Sequence, residues 1–215
     1  GGGIISMEGY PNQRGRHNVV STNIEAVASK VDQKTRALVN GHRGGIMWLT
    51  GLSGAGKSTI AIEAERQLFQ KGYQVYVLDG DNIRFGLSAD LGFKPEDRTE
   101  NIRRIGEVAK LFADAGVLVI TAFISPYRND RNRVRAIAPD LFHEVFIKAD
   151  LSTCETRDPK GLYARARNGE ITDFTGVSAP YEEPTDANLI VDTGEQTVDQ
   201  SVLRVIDYIS VNFKS

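Results

Sequence analysis

Residues Gly51 to Ser58 read Gly-Leu-Ser-Gly-Ala-Gly-Lys-Ser, a full match to the phosphate-binding loop pattern G-x-x-x-x-G-K-[ST]. An apolar strand candidate, Ile46 to Thr50, precedes the loop, and a helix candidate, Ser58 to Phe69, follows it. We expect the helix to end at Lys71, with Gly72 in the left-handed C′ position. A glycine-rich turn without function is the alternative, but the flanking strand and helix favour a true phosphate-binding loop.

The chemistry of this loop follows from its geometry. Glycines let backbone N–H groups converge on phosphate oxygens at a helix N-terminus, where the helix dipole also favours negative charge. Lys57 adds a point charge for the β and γ phosphates, and the Ser58 hydroxyl is a ligand for Mg²⁺. The motif predicts a site for a nucleoside triphosphate with Mg²⁺, formed by Gly51, Leu52, Ser53, Gly54, Ala55, Gly56, Lys57, Ser58 and Thr59.

The composition indicates one globular α/β domain with an extension. The chain has 215 residues, 40% of them apolar and 25% charged, which is long enough for a buried core. A net charge of −2 gives no footprint for nucleic acid, and the apolar runs are too short to span a membrane. A single cysteine, Cys154, cannot form an internal disulfide, which fits a cytoplasmic location and a packing role for the thiol.

The N-terminal residues differ from the rest of the chain. Residues 1–20 lack an initiator Met at the start and are linker-like, as at the end of an upstream domain. Residues 21–41 are predicted to be a helical extension, with a helix from Thr22 to Asn40, a capping box of Thr22 and Glu25, and Gly41 as the stop. The apolar face of this helix would pack on the main body of the chain, residues 42–215, or on a second subunit; it comprises Ile24, Val27, Ala28, Val31 and Leu38.

From Gly45 onward, strand and helix candidates alternate along the chain. This alternation predicts an α/β fold of the P-loop NTPase type, with three layers: a five-stranded parallel sheet and helices on both faces. Ligands should then gather at the C-terminal ends of the strands. The strand candidates are Ile46 to Thr50, Tyr73 to Leu78, Val117 to Ala122, Glu144 to Ile147 and Leu189 to Val191.

Two carboxylates follow the second strand, in Asp79-Gly80-Asp81. At that place in a phosphate-loop protein they can orient Mg²⁺ through water and take a proton from an acceptor hydroxyl. We favour Asp81 as the base and metal partner. Asp79 either shares that role or holds the loop by hydrogen bonds, and the sequence leaves the choice open.

A helix is predicted to run to about Ala115, with Asp97 and Glu100 as its capping pair. Arg98 and Asn101 lie at helical spacing near its N-terminal end, so both can face a ligand. Arg103 and Arg104 more simply form a solvated basic face. The predicted buried stripe of the helix is Ile102, Ile105, Ala109 and Phe112.

The third strand ends without the acidic residue found there in motor ATPases and GTPases, and the chain has neither N-K-x-D nor a D-x-x-G switch motif. These absences argue against a GTPase switch. Cations concentrate between Arg157 and Arg167, followed by an irregular stretch around Phe174. We predict a basic lid over about residues 157–181, because phosphoryl transfer requires charge neutralisation with water excluded.

Seven motifs, in their order along the chain, resemble those of the adenylyl-sulfate kinase family over about Gly41 to Asp192. The resemblance implies ATP-dependent phosphorylation of the 3′-hydroxyl of adenosine 5′-phosphosulfate (APS), giving 3′-phosphoadenosine 5′-phosphosulfate for sulfate activation. It also implies a homodimer. The motifs are Gly51 to Ser58, Leu78 to Arg84, Gly92-Phe93, Asp97-Arg98 with Asn101 to Arg104, Phe123 to Arg128, Arg157 to Tyr163, and Phe174 to Gly176.

The resemblance also assigns roles to single residues. It implies that Phe93 and Phe174 sandwich the adenine of the substrate, that Arg157 joins the ATP site, and that Ile124 lines the acceptor site. A dianionic substrate beside ATP needs more positive charge than a neutral acceptor would. The residues implied to hold the phosphosulfate group are Arg84, Arg98, Asn101 and Lys160.

Ser125 has two interpretations. The resemblance marks it as a candidate phosphoserine intermediate, but no His lies near it in the chain to act as a base. Phosphate-loop enzymes usually transfer directly between bound substrates. We therefore expect Ser125 to line the acceptor site and hydrogen-bond the substrate during in-line transfer.

Two other functions stay open at this point. One is a phosphate-loop kinase for another small acceptor, such as a nucleotide or a sugar acid. The other is a nucleotide-binding partner that has lost catalysis and serves a fused or bound sulfate adenylyltransferase subunit; Gly1 to Ile5 resembles the end of an elongation-factor-like barrel in such fusions. Intact Lys57, Ser58 and Asp81 favour an active enzyme. The sequence does not decide whether the product is reduced or used for sulfation.

Overall fold

A computed structural model describes Glu25, Val27 and residues 29–215 of the chain. Its centre is a parallel sheet of five strands in the order β2-β3-β1-β4-β5. The strands are β1 (Gly45–Thr50), β2 (Val75–Asp79), β3 (Leu118–Ala122), β4 (Phe142–Lys148) and β5 (Leu189–Asp192). The predicted α/β fold and the five strand positions are confirmed.

Helices connect the strands and cover both faces of the sheet. They are α1 (Gln33–Asn40), α2 (Lys57–Gln70), α3 (Gly80–Arg84), α4 (Pro95–Asp114), α5 (Arg128–Ile137), α6 (Leu151–Arg157), α7 (Leu162–Arg167) and α8 (Val198–Asn212). The prediction for α2 is confirmed at its end, because Gly72 follows Lys71 with a φ of 89°.

Strand β1 shows how the sheet divides two cores. All six of its residues are buried, and successive side chains point to opposite faces. Met47 and Leu49 pack in the core that contains α2 and α8, whereas Ile46 and Trp48 pack in the core that contains α4 and α5. Because the central strand is covered on both sides, the loop that follows it is anchored on a rigid base.

The N-terminal helix is shorter than predicted. It begins at Gln33, because the Asp32 side chain accepts the Thr35 N–H at 2.8 Å and so caps the helix there. Residues 29–32 are not helical, and neither are Glu25 and Val27. The remaining residues of the predicted helix, including Thr22, Ile24 and Ala28, lie outside the described residues. Val27, Val31 and Leu38 of the predicted apolar face are exposed, so these residues do not pack on the body of the same chain, and packing on a second subunit stays a prediction.

Helix α4 begins two residues before its predicted cap. Pro95 at the first helical position starts the helix, because its fixed φ suits that place and its missing N–H costs nothing there. Asp97 instead accepts the Gly92 N–H at 3.2 Å, and Glu100 pairs with Arg103 and Arg104. In the predicted stripe Ile102, Ile105 and Ala109 are buried, and Phe112 is half-buried.

Within the described residues, no helix is long and apolar enough to cross a lipid bilayer. Cys154 is a buried free thiol, and burial raises its pKa above the usual value. A protonated, buried thiol fits the packing role predicted for this residue.

Candidate active site

The phosphate-binding loop joins β1 to α2. Gly56 caps α2 with a φ of 101°, a conformation that favours glycine, and no side chain satisfies the first N–H groups of the helix. Gly51 lies so close to β4 that an added Cβ would meet the Ile147 carbonyl oxygen at 2.4 Å. The loop therefore presents its N–H groups to an anion at the place that the motif predicts.

Lys57 lies inside this loop and is buried. Its Nζ donates to the Gly51 carbonyl at 2.9 Å and to the Leu52 carbonyl at 2.6 Å. Burial lowers the pKa of Lys57 to about 8, although neighbouring groups, first Cys154 and then Asp79 and Asp81, oppose that shift. A phosphate group in the loop would supply the negative charge that the two carbonyls lack, and so raise the pKa of Lys57 again.

Asp79 orients the second half of the site. Its carboxylate accepts the Ser58 hydroxyl at 2.6 Å and the Asp81 N–H at 3.0 Å, which makes it the N-cap of α3. Asp81 is exposed and pairs with the Lys160 ammonium group, which comes from the predicted lid. The structure thus brings Ser58, Asp79, Asp81 and Lys160 together, and it gives Asp79 the hydrogen-bonding role that the sequence had left open.

The oxygen atoms of Ser58, Asp79 and Asp81 are of the type that Mg²⁺ prefers. Within the described residues, no group of three or more His, Cys, Asp or Glu side chains could hold a metal ion. The hydroxyl of Ser58 and the two carboxylates fit Mg²⁺, which usually keeps waters and binds substrate phosphates together with one or two protein groups.

Arg84 and Arg98 form a second cluster around Phe93. Arg84 donates to the Gly92 carbonyl at 2.8 Å and lies over the Phe93 ring, with 4.3 Å between its guanidinium carbon and the ring centroid. Arg98 donates to the Phe93 carbonyl at 2.7 Å and to Thr175 Oγ1 at 2.9 Å. Burial lowers the pKa of both guanidinium groups. The hydrogen-bond partners described for both arginines are neutral oxygens, so their charge is available to an anion.

Asn101 lies one helical turn beyond Arg98 and is only 4% exposed. Its Oδ1 atom has no hydrogen-bond partner among the described residues. Buried amide oxygens are nearly always paired in folded proteins, so an unpaired one needs an explanation. A ligand with a hydrogen-bond donor would satisfy it.

The two phenylalanines predicted to hold adenine lie on either side of Arg98. Phe93 is 62% exposed, while Phe174 is buried and packs edge-on against Tyr163 at 5.0 Å. Arg98 links the two segments, because it also donates to the Asp173 carbonyl at 2.6 Å. In this structure Arg84 covers one face of Phe93, so a purine on that face would have to displace the guanidinium group.

The segment after β3 contains Ile124 and Ser125. The Thr50 hydroxyl donates to the Ile124 carbonyl at 2.7 Å, and the Trp48 indole N–H donates to Ser125 Oγ at 3.1 Å. Ser125 is buried and has a φ of 41°, which is unusual for a residue other than glycine. Because an indole N–H can only donate, Trp48 cannot serve as the base that a serine nucleophile needs.

The predicted lid is tied to the phosphate-binding loop at two points. Arg157 donates to the Thr193 carbonyl at 2.5 Å and to Thr193 Oγ1 at 3.1 Å, and Thr193 in turn donates to the Ala55 carbonyl at 2.8 Å. The Tyr163 hydroxyl donates to the Ser53 carbonyl at 3.0 Å. Thr193 was not among the predicted site residues. Its position directly after β5 is the one signal in the sequence that could have found it.

The comparisons with known proteins agree with this geometry. Residues 43–192 match the adenylylsulphate kinase family. The adenylyl-sulfate kinase of Bacillus pumilus is 61% identical over 176 residues, which cover 81% of this chain and 89% of that relative. That of Staphylococcus epidermidis is 56% identical over 182 residues, which cover 84% of this chain and 92% of that relative.

A solved structure gives the same result. The Mycobacterium tuberculosis APS kinase CysC in complex with AMPPNP and APS is 49% identical and superposes with a TM-score of 0.75. The match covers 78% of this chain and 98% of that structure. By the family match and by these identities, the chain belongs to the adenylylsulphate kinase family.

Proposed function

We infer that the chain catalyses the transfer of the γ-phosphoryl group of ATP to the 3′-hydroxyl of APS. One observation carries this inference beyond family membership. Two half-buried arginines without carboxylate hydrogen-bond partners, Arg84 and Arg98, lie with the unpaired oxygen of Asn101 on the acceptor side of a phosphate-binding loop. This set of groups suits an anionic acceptor that also offers a hydrogen-bond donor.

Different residues bind the ATP phosphates, bind Mg²⁺ and accept the proton during the transfer. The amides of the loop and Lys57 hold the β and γ phosphates, and Arg157 stands at the base of the lid beside them. Mg²⁺, held by Ser58 and the carboxylates of Asp79 and Asp81 partly through water, would neutralise charge on the phosphates. Asp81 takes the proton of the acceptor hydroxyl, and Lys160 moves between Asp81 and the substrate.

The acceptor substrate is held by a second group of residues, which we call the acceptor wall. Arg84, Arg98 and the amide N–H group of Asn101 bind the phosphosulfate group with Lys160, and Phe93 and Phe174 flank the adenine. Ile124 and Ser125 line the same wall through the segment after β3. Positioning of the two substrates and charge neutralisation then account for most of the rate, as is general for phosphoryl transfer.

A coupled assay of ADP release with several acceptors tests this function. We expect Mg²⁺-dependent ADP release with APS, and a product that carries a new phosphate on its 3′-oxygen. Turnover with a sugar acid or a simple nucleotide but not with APS would favour another small-molecule kinase. ATP binding without ADP release on any acceptor would favour a nucleotide-binding partner.

Replacement of Arg98 by Ala should weaken APS much more than ATP. A charge-assisted hydrogen bond is worth about 1.5–3 kcal/mol, so we expect the KM for APS to rise about 10- to 100-fold. Steady-state kinetics with each substrate varied in turn measure the difference. Arg103→Ala, on the exposed face of the same helix, is the matched control. Equal effects of Arg98→Ala on both substrates would mean that Arg98 is structural or binds the ATP phosphates.

Replacement of Ser125 by Ala should leave most of the activity. Loss of one neutral hydrogen bond to substrate costs about tenfold or less, whereas loss of a serine nucleophile costs about 10⁶ in turnover. Thermal stability should fall, because the buried Trp48 N–H loses its acceptor. Transfer from a chiral γ-phosphate should invert configuration. Overall retention, or a phosphorylated Ser125 that discharges onto APS at a competent rate, would establish the covalent route instead.

Assembly, domain limits and location remain predictions. A homodimer is supported by exposed apolar side chains at the N-terminal end of the described chain, among them Val27, Leu38 and Val39. The kinase domain over residues 42–215, with a lid over about 157–181, is supported by the hydrogen bonds that tie Arg157 and Tyr163 to the loop. A fused or associated sulfate adenylyltransferase subunit and a cytoplasmic location likewise stay predictions.

A further inference from the structure

Arg131 on α5 is a charged side chain buried in the body of the protein, with only 1% of its surface exposed. Its guanidinium group has three partners. Nε donates to Glu144 Oε1 at 2.6 Å, and the two terminal nitrogens donate to the Ser125 carbonyl and to the Glu182 carbonyl, each at 2.7 Å. Residues from three separate parts of the chain thus meet at one side chain.

The cost of burying this charge is offset by Glu144 on β4, which is itself only 2% exposed. Its second carboxylate oxygen accepts from Arg135 at 2.8 Å. The two arginines therefore share one carboxylate, but only Arg131 reaches beyond it to Ser125 and Glu182. Only a planar guanidinium fork can serve three acceptors in fixed directions at once.

The Ser125 carbonyl, the first of the two Arg131 contacts other than Glu144, belongs to the wall of the site that we propose to bind APS. Ser125 has a left-handed backbone that a side chain other than glycine adopts at a cost, and such conformations persist only where the surroundings enforce them. Arg131 fixes its carbonyl, and Trp48 fixes its hydroxyl. Neither of these two residues belongs to the predicted site.

The Glu182 carbonyl, the second of these hydrogen-bond acceptors, directly follows the C-terminal end of the predicted lid at about residue 181. The Glu182 N–H donates to the Pro126 carbonyl at 2.9 Å, and its carboxylate accepts the Arg128 N–H at 2.8 Å. The neighbouring Tyr181 hydroxyl lies 3.0 Å from Thr50 Oγ1, at the end of β1. The end of the lid and the segment after β3 are therefore joined side by side.

We propose that Arg131 is a positioning residue for the acceptor substrate. Its guanidinium group holds Ser125 on the acceptor wall and the end of the lid at Glu182 as one rigid unit, with Glu144 aligning the fork. The inference rests on the proposed function, since it assumes that the segment after β3 binds APS. Arg131 touches neither substrate in this arrangement; it acts through the backbone atoms that it holds.

The matched pair Arg131→Lys and Arg135→Lys tests this role. Both substitutions keep a positive charge beside Glu144, but only the first loses the fork that reaches Ser125 and Glu182. We expect Arg131→Lys to raise the KM for APS about tenfold or more, by loss of charge-assisted hydrogen bonds, with less than about twofold change in the KM for ATP. Arg135→Lys should change either KM by less than about twofold.

Thermal unfolding of both variants separates positioning from stability. A purely structural role would lower the melting temperature and the active fraction, hence the apparent kcat, without a selective change in the KM for APS. That pattern in Arg131→Lys, or the same selective change in Arg135→Lys, would overturn the proposal.

If Arg131→Lys does not fold, Glu144→Gln decides the question, because it keeps Arg131 but removes the charge that aligns its Nε. We expect it to raise the KM for APS selectively as well, and an unchanged ratio of the two KM values would refute the positioning role. Failure of the proposed function is distinguishable, since it would show first in the wild-type protein as no ADP release with APS.

Discussion

Replacement of Lys57 by Ala is expected to lower kcat by about 10²–10³, the usual cost of removing one preorganised electrostatic group from a phosphoryl-transfer site. The ammonium group is the charge at the centre of the loop, held by the Gly51 and Leu52 carbonyls. The fold should survive, because the buried Lys57 makes its described hydrogen bonds within the loop alone and its burial lowers its own pKa to about 8. Removing a buried cation of that kind also removes its desolvation cost.

Steady-state ADP release and thermal unfolding check this result together. The control is Lys71→Ala, at the exposed C-terminal end of the same helix, which removes the same charge far from the loop. We expect wild-type turnover from the control and an unchanged or higher melting temperature for Lys57→Ala. Wild-type turnover in a folded Lys57→Ala protein would contradict the active-kinase mechanism.

The fold could be predicted because its strongest signals are local. The strand, loop and helix around Gly51 are contiguous in the chain, and the other strands are short apolar runs with turns between them. The misplaced starts of α1 and α4 have a physical cause of the same kind. Asp32 lies inside the first predicted helix, and Pro95 lies two residues before the predicted cap of α4. Both residues favour a helix start, and each helix begins there instead of at the predicted cap.

The sequence motifs predicted three parts of the candidate site: the phosphate-binding loop, the carboxylates of Asp79 and Asp81, and the arginines Arg84 and Arg98. The supporting contacts were not predictable. Arg131 meets Glu182 across 51 positions of the chain, and Arg157 meets Thr193 across 36. No spacing rule joins such pairs; they follow from the order of the strands in the sheet, which places the loops after β3, β4 and β5 at one edge.

The division of labour between Asp79 and Asp81 shows the same limit. Both carboxylates follow β2, and the sequence alone could not orient either. In the structure Asp79 is committed to the Ser58 hydroxyl and to the cap of α3, so its two oxygens already serve protein donors. Asp81 is exposed, and the partner described for its carboxylate is the ammonium group of Lys160. A base must be free to receive a proton, and this contrast favours Asp81.

Asp81→Asn should therefore lower kcat by about 10²–10⁴, the range for loss of a general base, and should also raise the Mg²⁺ concentration that half-maximal activity requires. The amide neither accepts the proton of the 3′-hydroxyl nor attracts the cation. Asp79→Asn, the matched control, should cost less in kcat, because an amide oxygen can still accept the Asp81 N–H that caps α3. Its main effect should be a higher Mg²⁺ requirement, since the Ser58 hydroxyl loses its charged partner.

Titration of kcat against Mg²⁺ for both variants and the wild type measures the two effects separately. The structure gives a reason to test the reverse assignment, because Asp79 lies 2.6 Å from the hydroxyl that we expect to bind Mg²⁺. A far larger loss of kcat in Asp79→Asn than in Asp81→Asn, with the fold intact in both, would make Asp79 the base. Asp81 would then serve mainly to hold Lys160 of the lid until the acceptor binds. In that case its replacement should lower the KM for APS, because Lys160 would be released to the substrate without first breaking an ion pair.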